Sequence, residues 1–141
     1  MVNLRRMRFL INRMPLARYR VDLAMARATR VTPVLTGMPH VSGVSSMVEN
    51  GVIELDECRK AYQDICKELS EMKGKLSPVI DSMENPLEKN VMRLRYIEGK
   101  RVAEIGWNLN YSERHIRRVL EKAERYIIEK MSAMSETNVI K

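Results

Sequence analysis

The stretch from Arg101 to Ala123, RVAEIGWNLNYSERHIRRVLEKA, constrains the fold of this chain more than any other. Its apolar residues fall at Val102, Ile105, Leu109, Tyr111, Ile116, Val119 and Leu120, a helical period on both sides of a break near Asn110. Two short helices that cross steeply can approach only where a side chain is missing, and Gly106 supplies that gap. A chain leaving a helix into a sharp turn takes positive φ, which Asn110 tolerates. Ser112 then offers its hydroxyl as the N-cap of the next helix. Tyr111 and Ile116 are expected to bury the turn against Ile105 and Leu109. The spacing predicts a helix-turn-helix whose structural positions are Ile105, Gly106, Leu109, Asn110, Tyr111, Ile116 and Val119.

Asn85-Pro86-Leu87-Glu88 is a strong helix start, with Asn as N-cap, Pro at the first helical position and Glu three residues after the cap. The helix it opens is expected to bury Leu87, Val91, Leu94 and Ile97 and to stop at Gly99. It forms the third wall of a small domain over residues 85–130, and Ala123 and Ile127 continue the buried side of the last helix to Lys130. Trp107 lies opposite the crossing, where packing against the N-terminal helices is the expected role and base stacking the other reading. Residues 131–141 lack periodicity and read as a flexible tail.

The first 84 residues carry a different pattern. Leu4, Met7, Ile11 and Met14 repeat at heptad spacing, and the register continues through Arg18, Val21, Met25 and Ala28 on an Arg-coated helix with Pro15 inside it. Those arginines read either as a phosphate-binding arm or as partners for the acids of the next helix. Val31 to Ser45 holds two Pro and two Gly and reads as a loop, with His40 as an ordinary loop histidine. From Ser46 the seam returns as Leu55, Cys58, Tyr62, Ile65, Leu69, Met72, Leu76, Val79 and Met83. At Pro78 the helix either kinks or ends near Lys73, to restart with Ser77 as cap. A seam this narrow needs a partner helix. An antiparallel hairpin over residues 1–84 is the simplest answer, and pairing of the same seams between two chains, a homodimer, is the other. The fold class is all-α: a coiled-coil-like helical hairpin followed by a three-helix helix-turn-helix domain.

Charge supports this division. Residues 1–30 carry a net +7, residues 31–84 a net −4 and residues 85–141 a net +4. Basic ends favour a polyanion, and the acidic middle suits a basic segment. Cys58 and Cys66, eight apart on one helix, stand about 12 Å apart along its axis, too far for a bond between them. They read as reduced residues of a cytoplasmic protein. No apolar run is long enough to span a membrane, and no CxxC or His/Cys cluster implies zinc. With two His, no paired-carboxylate or nucleophile–base signature and no Gly-rich phosphate loop, the chain reads as no enzyme, without cofactor or metal.

The stretch LRYIEGKRVAEIGWNLNYSERHIRRVLEKAERYI resembles the promoter-reading helix-turn-helix of sigma-70 region 4, where a helix ends in an EGK turn, Ile-Gly marks the crossing and Ser opens the recognition helix. With TPVLTGMPHVSGVS upstream, the chain resembles the ArpU-type regulators of phage late genes from about Thr32 to Ile127. Two departures stand out: Glu113 where the sigma pattern often has Arg, and Arg101 in place of Thr at the start of the first motif helix. They point to a site other than a standard promoter element and to a less well capped helix. The resemblance implies a sequence-specific regulator of transcription, of phage or prophage type, working on the nucleoid in the bacterial cytoplasm, with a second contact to host RNA polymerase.

In a helix-turn-helix the outward face of the second helix enters the major groove of double-stranded DNA. On a recognition helix at 112–128, Arg114 and Arg118 are suited to guanine O6 and N7, while Glu113 would accept from cytosine N4. Lys100, Ser112, His115 and Arg117 would hold phosphates. Two competing readings have their own signatures. A protein-interaction adaptor acting on polymerase would not bind DNA at any salt concentration. The DNA-recognition subunit of a phage terminase would assemble into a ring.

Overall fold

The computed structural model of the protein describes the backbone of residues 2–30 and 43–139 and the side chains of residues 2–29 and 50–137. It holds α1 (Leu4–Arg30), α2 (Gly43–Asp81), α3 (Pro86–Met92) with a π-helical extension over Arg93–Ile97, α4 (Val102–Leu109) and α5 (Glu113–Val139). The described residues contain no strand, so the architecture is all-α as expected. Of the anticipated loop at 31–45, residues 31–42 with His40 lie outside the described residues. Gly43 to Ser45 already belong to α2, because nothing after Pro39 forbids a helix.

By packing, the chain groups into two compact units: residues 1–11 with 69–141, and residues 12–68. In the second unit α1 and α2 run antiparallel. Arg27 pairs with Glu54 at 3.0 Å, a side chain at Gly51 would meet the Ala28 backbone at 3.9 Å, and Tyr62 feels the charges of Arg18 and Asp22, so partners recede along one helix as they advance along the other. The Arg27 pair realises the acid-pairing reading of the first helix at that position. Cys58 and Cys66 are free thiols, both half-buried on α2.

The seam of α1 departs from expectation. Leu10, Ala17 and Ala24 are buried, with Met14, Val21 and Ala28 half-buried, whereas Arg18 and Met25 are exposed. A heptad counted from Leu4 puts a guanidinium in the seam. Desolvating that charge costs more than moving the contact line by one residue onto small alanines. Neither proline ends its helix: Pro15 sits inside α1 and Pro78 inside α2, so α2 does not restart at Ser77.

In the first unit Leu4, Met7, Leu10 and Ile11 of α1, together with Leu69, Leu76, Val79, Ile80 and Met83 from α2 and its end, are buried. So are Val91, Met92, Tyr96, Ile105, Ile116, Leu120, Ala123 and Ile127 of the same unit. The start of α3 is built as its sequence predicts: Asn85 Oδ1 accepts from the amides of Leu87 at 3.0 Å and Glu88 at 3.5 Å. Its end is not. The Glu98 amide donates to the Arg93 carbonyl at 3.1 Å, a bond five residues back, and this wider turn accompanies burial of Met92 and Tyr96 while Leu87, Leu94 and Ile97 stay half-buried. Gly99, at φ 71°, then closes the segment.

At the other end, α5 continues past Lys130 to Val139 where a tail was expected. Met, Ala and Glu favour helix without any core to pack on. Ser132, Ser135 and Thr137 each return a hydroxyl bond to the carbonyl four residues back.

Candidate nucleic-acid interface

The motif assembles from local backbone requirements. Arg101 enters α4 extended, at φ −76° and ψ 155°, and gives it no side-chain cap, as expected where Thr is replaced. Asn110 leaves α4 in the left-handed region at φ 59° and ψ 40°, and the Tyr111 amide returns to the Gly106 carbonyl at 2.9 Å. That turn lies directly on Gly106. A Cβ there would stand 2.7 Å from the Tyr111 carbonyl oxygen, with the Glu113 nitrogen and the Ile116 side chain each at 3.7 Å. The close approach that demands glycine is thus chiefly between helix and turn, with the second helix just behind. Ser112 caps α5, its Oγ accepting from the His115 amide at 3.2 Å.

Behind the motif, Tyr96 ties α3 to α5. Its hydroxyl donates to Glu124 Oε1 at 2.5 Å, and Arg8 from the start of α1 reaches the same carboxylate oxygen at 3.8 Å. Burial, and then the hydrogen bond to Glu124, push the phenol well above its ordinary value. Lys122 adds a second tie to α3, pairing with Glu88 at 3.6 Å. The α3–α4 connection is pinned where Arg95 donates to the Lys100 carbonyl at 3.0 Å.

Six of the seven residues assigned to DNA lie together on the turn and the first turns of α5, and all are exposed: Ser112, Glu113, Arg114, His115, Arg117 and Arg118. Arg114 and Arg118 have no ion-pair partner among the described residues. Arg117 and Glu113 are paired with each other at 3.5 Å along one helix turn. Lys100 sits apart, on the connection before α4, and pairs with Glu98 at 3.5 Å. Ile105, Gly106 and Ile116 are buried, with Leu109 and Val119 half-buried.

Two expectations fail here. Tyr111 is 45% exposed and stacks on His115 with ring centroids 4.8 Å apart, so it decorates the turn instead of filling it. Trp107 is 86% exposed and has no cover among the described residues. The pattern around it held the signal: Ala103, Glu104 and Asn108, its neighbours on the helix surface, offer no apolar seam for an indole to join.

Among the described residues no helix is long and apolar enough to cross a membrane, and no group of His, Cys, Asp or Glu could hold a metal ion. Residues 85–126, from the cap of α3 into the middle of α5, match the family model described as sigma-70, region 4. The match covers just under a third of the chain. Comparisons with curated proteins and with solved structures give no match. Fold and match together define this region as a helix-turn-helix of the region-4 class, a DNA-binding module of the kind used in transcription regulation.

Proposed function

We propose that the protein is a sequence-specific regulator of transcription of phage or prophage type, acting in the bacterial cytoplasm, with α5 seated in the major groove of its operator and RNA polymerase as a second partner. The observation that carries this reading is the pair of unpartnered guanidinium groups, Arg114 and Arg118, exposed on α5 just past the Ser112 cap. Arginine held this way can bond guanine O6 and N7 without first breaking an internal ion pair. Glu113 reads cytosine, while Ser112, His115, Arg117 and Lys100 hold phosphates. Phosphate contacts set affinity and register, and base contacts set preference.

Selection of bound duplexes from a random pool supplies the operator. On that duplex Arg118→Ala should cost about 1–3 kcal/mol and relax base choice at one position, whereas Arg117→Ala should weaken operator and scrambled duplex alike. Equal losses for the two variants on both duplexes would remove these roles.

A homodimer through the N-terminal helices is also part of this proposal. Leu16, Tyr19 and Leu23 recur on α1 in steps of three and four and are 50%, 61% and 39% exposed, an apolar line left open among the described residues. A palindromic operator and a two-chain mass in light scattering would accord with it. A single asymmetric site bound by one chain would not, and a ring-sized mass would favour the terminase reading.

A further inference from the structure

Residues 12–68 form a unit of two antiparallel helices, and two helices alone leave most of each other's surface unpacked. Among its described residues only Ala17 and Ala24 are buried, while Leu16 and Leu23 stay open to water. An ion pair shows which side of the hairpin these leucines occupy. Arg27 and Glu54 meet at 3.0 Å from one helix to the other, so both point to the same side. At about 100° per residue, Leu16, Arg20 and Leu23 fall within about 40° of Arg27 around α1. By the same count Glu57, Ala61 and Asp64 fall within about 80° of Glu54 around α2. All six are exposed. That side therefore carries two stripes of unlike chemistry: two leucines with Arg20 between them on α1, and a small Ala61 between two carboxylates on α2. Arg20, Glu57 and Asp64 have no ion-pair partner among the described residues.

Charge selects what can cover these stripes. Residues 12–29 carry a net +3, so a second α1 laid on the first would set arginine against arginine. Residues 50–68 carry a net −2, and Ala61 leaves room for a leucine to approach. We infer that this side is covered by the same side of a second copy, α1 of each chain lying on α2 of the other in a two-fold four-helix bundle. Leu16 and Leu23 then pack over Ala61 of the other copy, and Arg20 faces its Glu57 and Asp64. This rests on the homodimer reading and deepens it by stating which helix meets which. The contact is isologous, so every charge pair occurs twice. Exposed pairs add little affinity, but like charges in their place are costly, so the charges decide which helices pair.

Sedimentation equilibrium of the full-length protein reads the arrangement. The parent should give a two-chain mass. Arg20→Glu and Asp64→Arg should each raise the dissociation constant about tenfold or more, since each brings like charges together at both copies of the contact. Mixed in equal amounts, the two variants should recover the parent's affinity, because each α1 again meets an α2 of opposite charge. Native mass spectrometry of the mixture should find one chain of each kind. Recovery on mixing also excludes misfolding as the cause of the single losses.

A parent dimer that Asp64→Arg leaves intact, or a mixture that stays dissociated, overturns the pairing of α1 with α2 and leaves the homodimer standing. A parent that sediments as one chain at every concentration overturns the homodimer, and the pairing with it. A ring-sized mass overturns the two-fold bundle as well.

Discussion

Gly106 and Gly74 offer the same substitution, glycine to alanine inside a helix, with opposite expected signs. At Gly74 an added Cβ meets nothing within 4 Å. Alanine there should stabilise the protein by about 0.5–1 kcal/mol, the cost of glycine in a helix interior. At Gly106 the Cβ would lie 2.7 Å from the Tyr111 carbonyl oxygen. The obstacle is backbone, which cannot rotate away as a side-chain end can. The turn must therefore shift by several tenths of an ångström against the Asn110 cap and the Ile116 side chain. Overpacking of this kind costs about 1–3 kcal/mol, and the propensity gain returns about 1, leaving a net loss of up to about 2 kcal/mol. Thermal unfolding followed by circular dichroism resolves the difference, since 1 kcal/mol moves Tm by about 2–8 °C for domains of this size range. Gly74→Ala should melt above the parent and Gly106→Ala below it. The displaced turn also re-aims α5, so Gly106→Ala should lose more DNA affinity than Gly74→Ala at a temperature where both are fully folded. A Gly106→Ala protein as stable as the Gly74→Ala protein would refute the packing of turn on helix from which the placement of α5 follows.

Asn110→Gly should leave Tm nearly unchanged, whereas Asn110→Val, forced to φ 59°, should lose about 1–2 kcal/mol in urea unfolding. Tyr96 keeps its proton in the folded state beyond the pH at which the unfolded chain, with an ordinary phenol at 10.0, releases it. Its stabilising contribution is therefore complete below pH 10 and is lost as pH rises further, so stability should fall steeply in alkali and Tyr96→Phe should flatten that fall. In an ultraviolet titration, one of the five tyrosines should ionise only together with unfolding. Arg117→Ala should reduce the slope of log binding constant against log salt by about 1, and Arg118→Ala should change it less.

Features set by one or two neighbouring residues were legible in the sequence. The Asn85 cap, the left-handed Asn110 and the Ser112 cap each depend on side-chain chemistry within three residues, and each stands where its residue type predicts. Ile105 and Ile116, strong periodic positions, are buried as expected. What escaped depends on partners distant in sequence or on a changed period. The burial of Tyr96 accompanies a π-helical turn, which a 3.6-residue count does not contain, and its partner Glu124 lies in another helix. The α1 register was set by what can be desolvated beside another helix, so Ala17 and Ala24 won over Arg18 and Met25. Spacing alone suggests that Tyr111 buries the turn and that Trp107 packs against the N-terminal helices, yet both are exposed. Their polar neighbours were the better guide.

The pairing of Arg117 with Glu113 has a consequence for how a duplex is interrogated on the proposed reading. In the free protein the two form a solvent-exposed pair, so a phosphate that draws the guanidinium away returns the carboxylate to water. Landing on the backbone thus arms the carboxylate: opposite a cytosine amine the lost partner is replaced, and opposite a carbonyl the protein holds an unmatched negative charge in the groove. Backbone engagement and discrimination become a single exchange, and the loss caused by Glu113→Ala should depend on whether Arg117 is present.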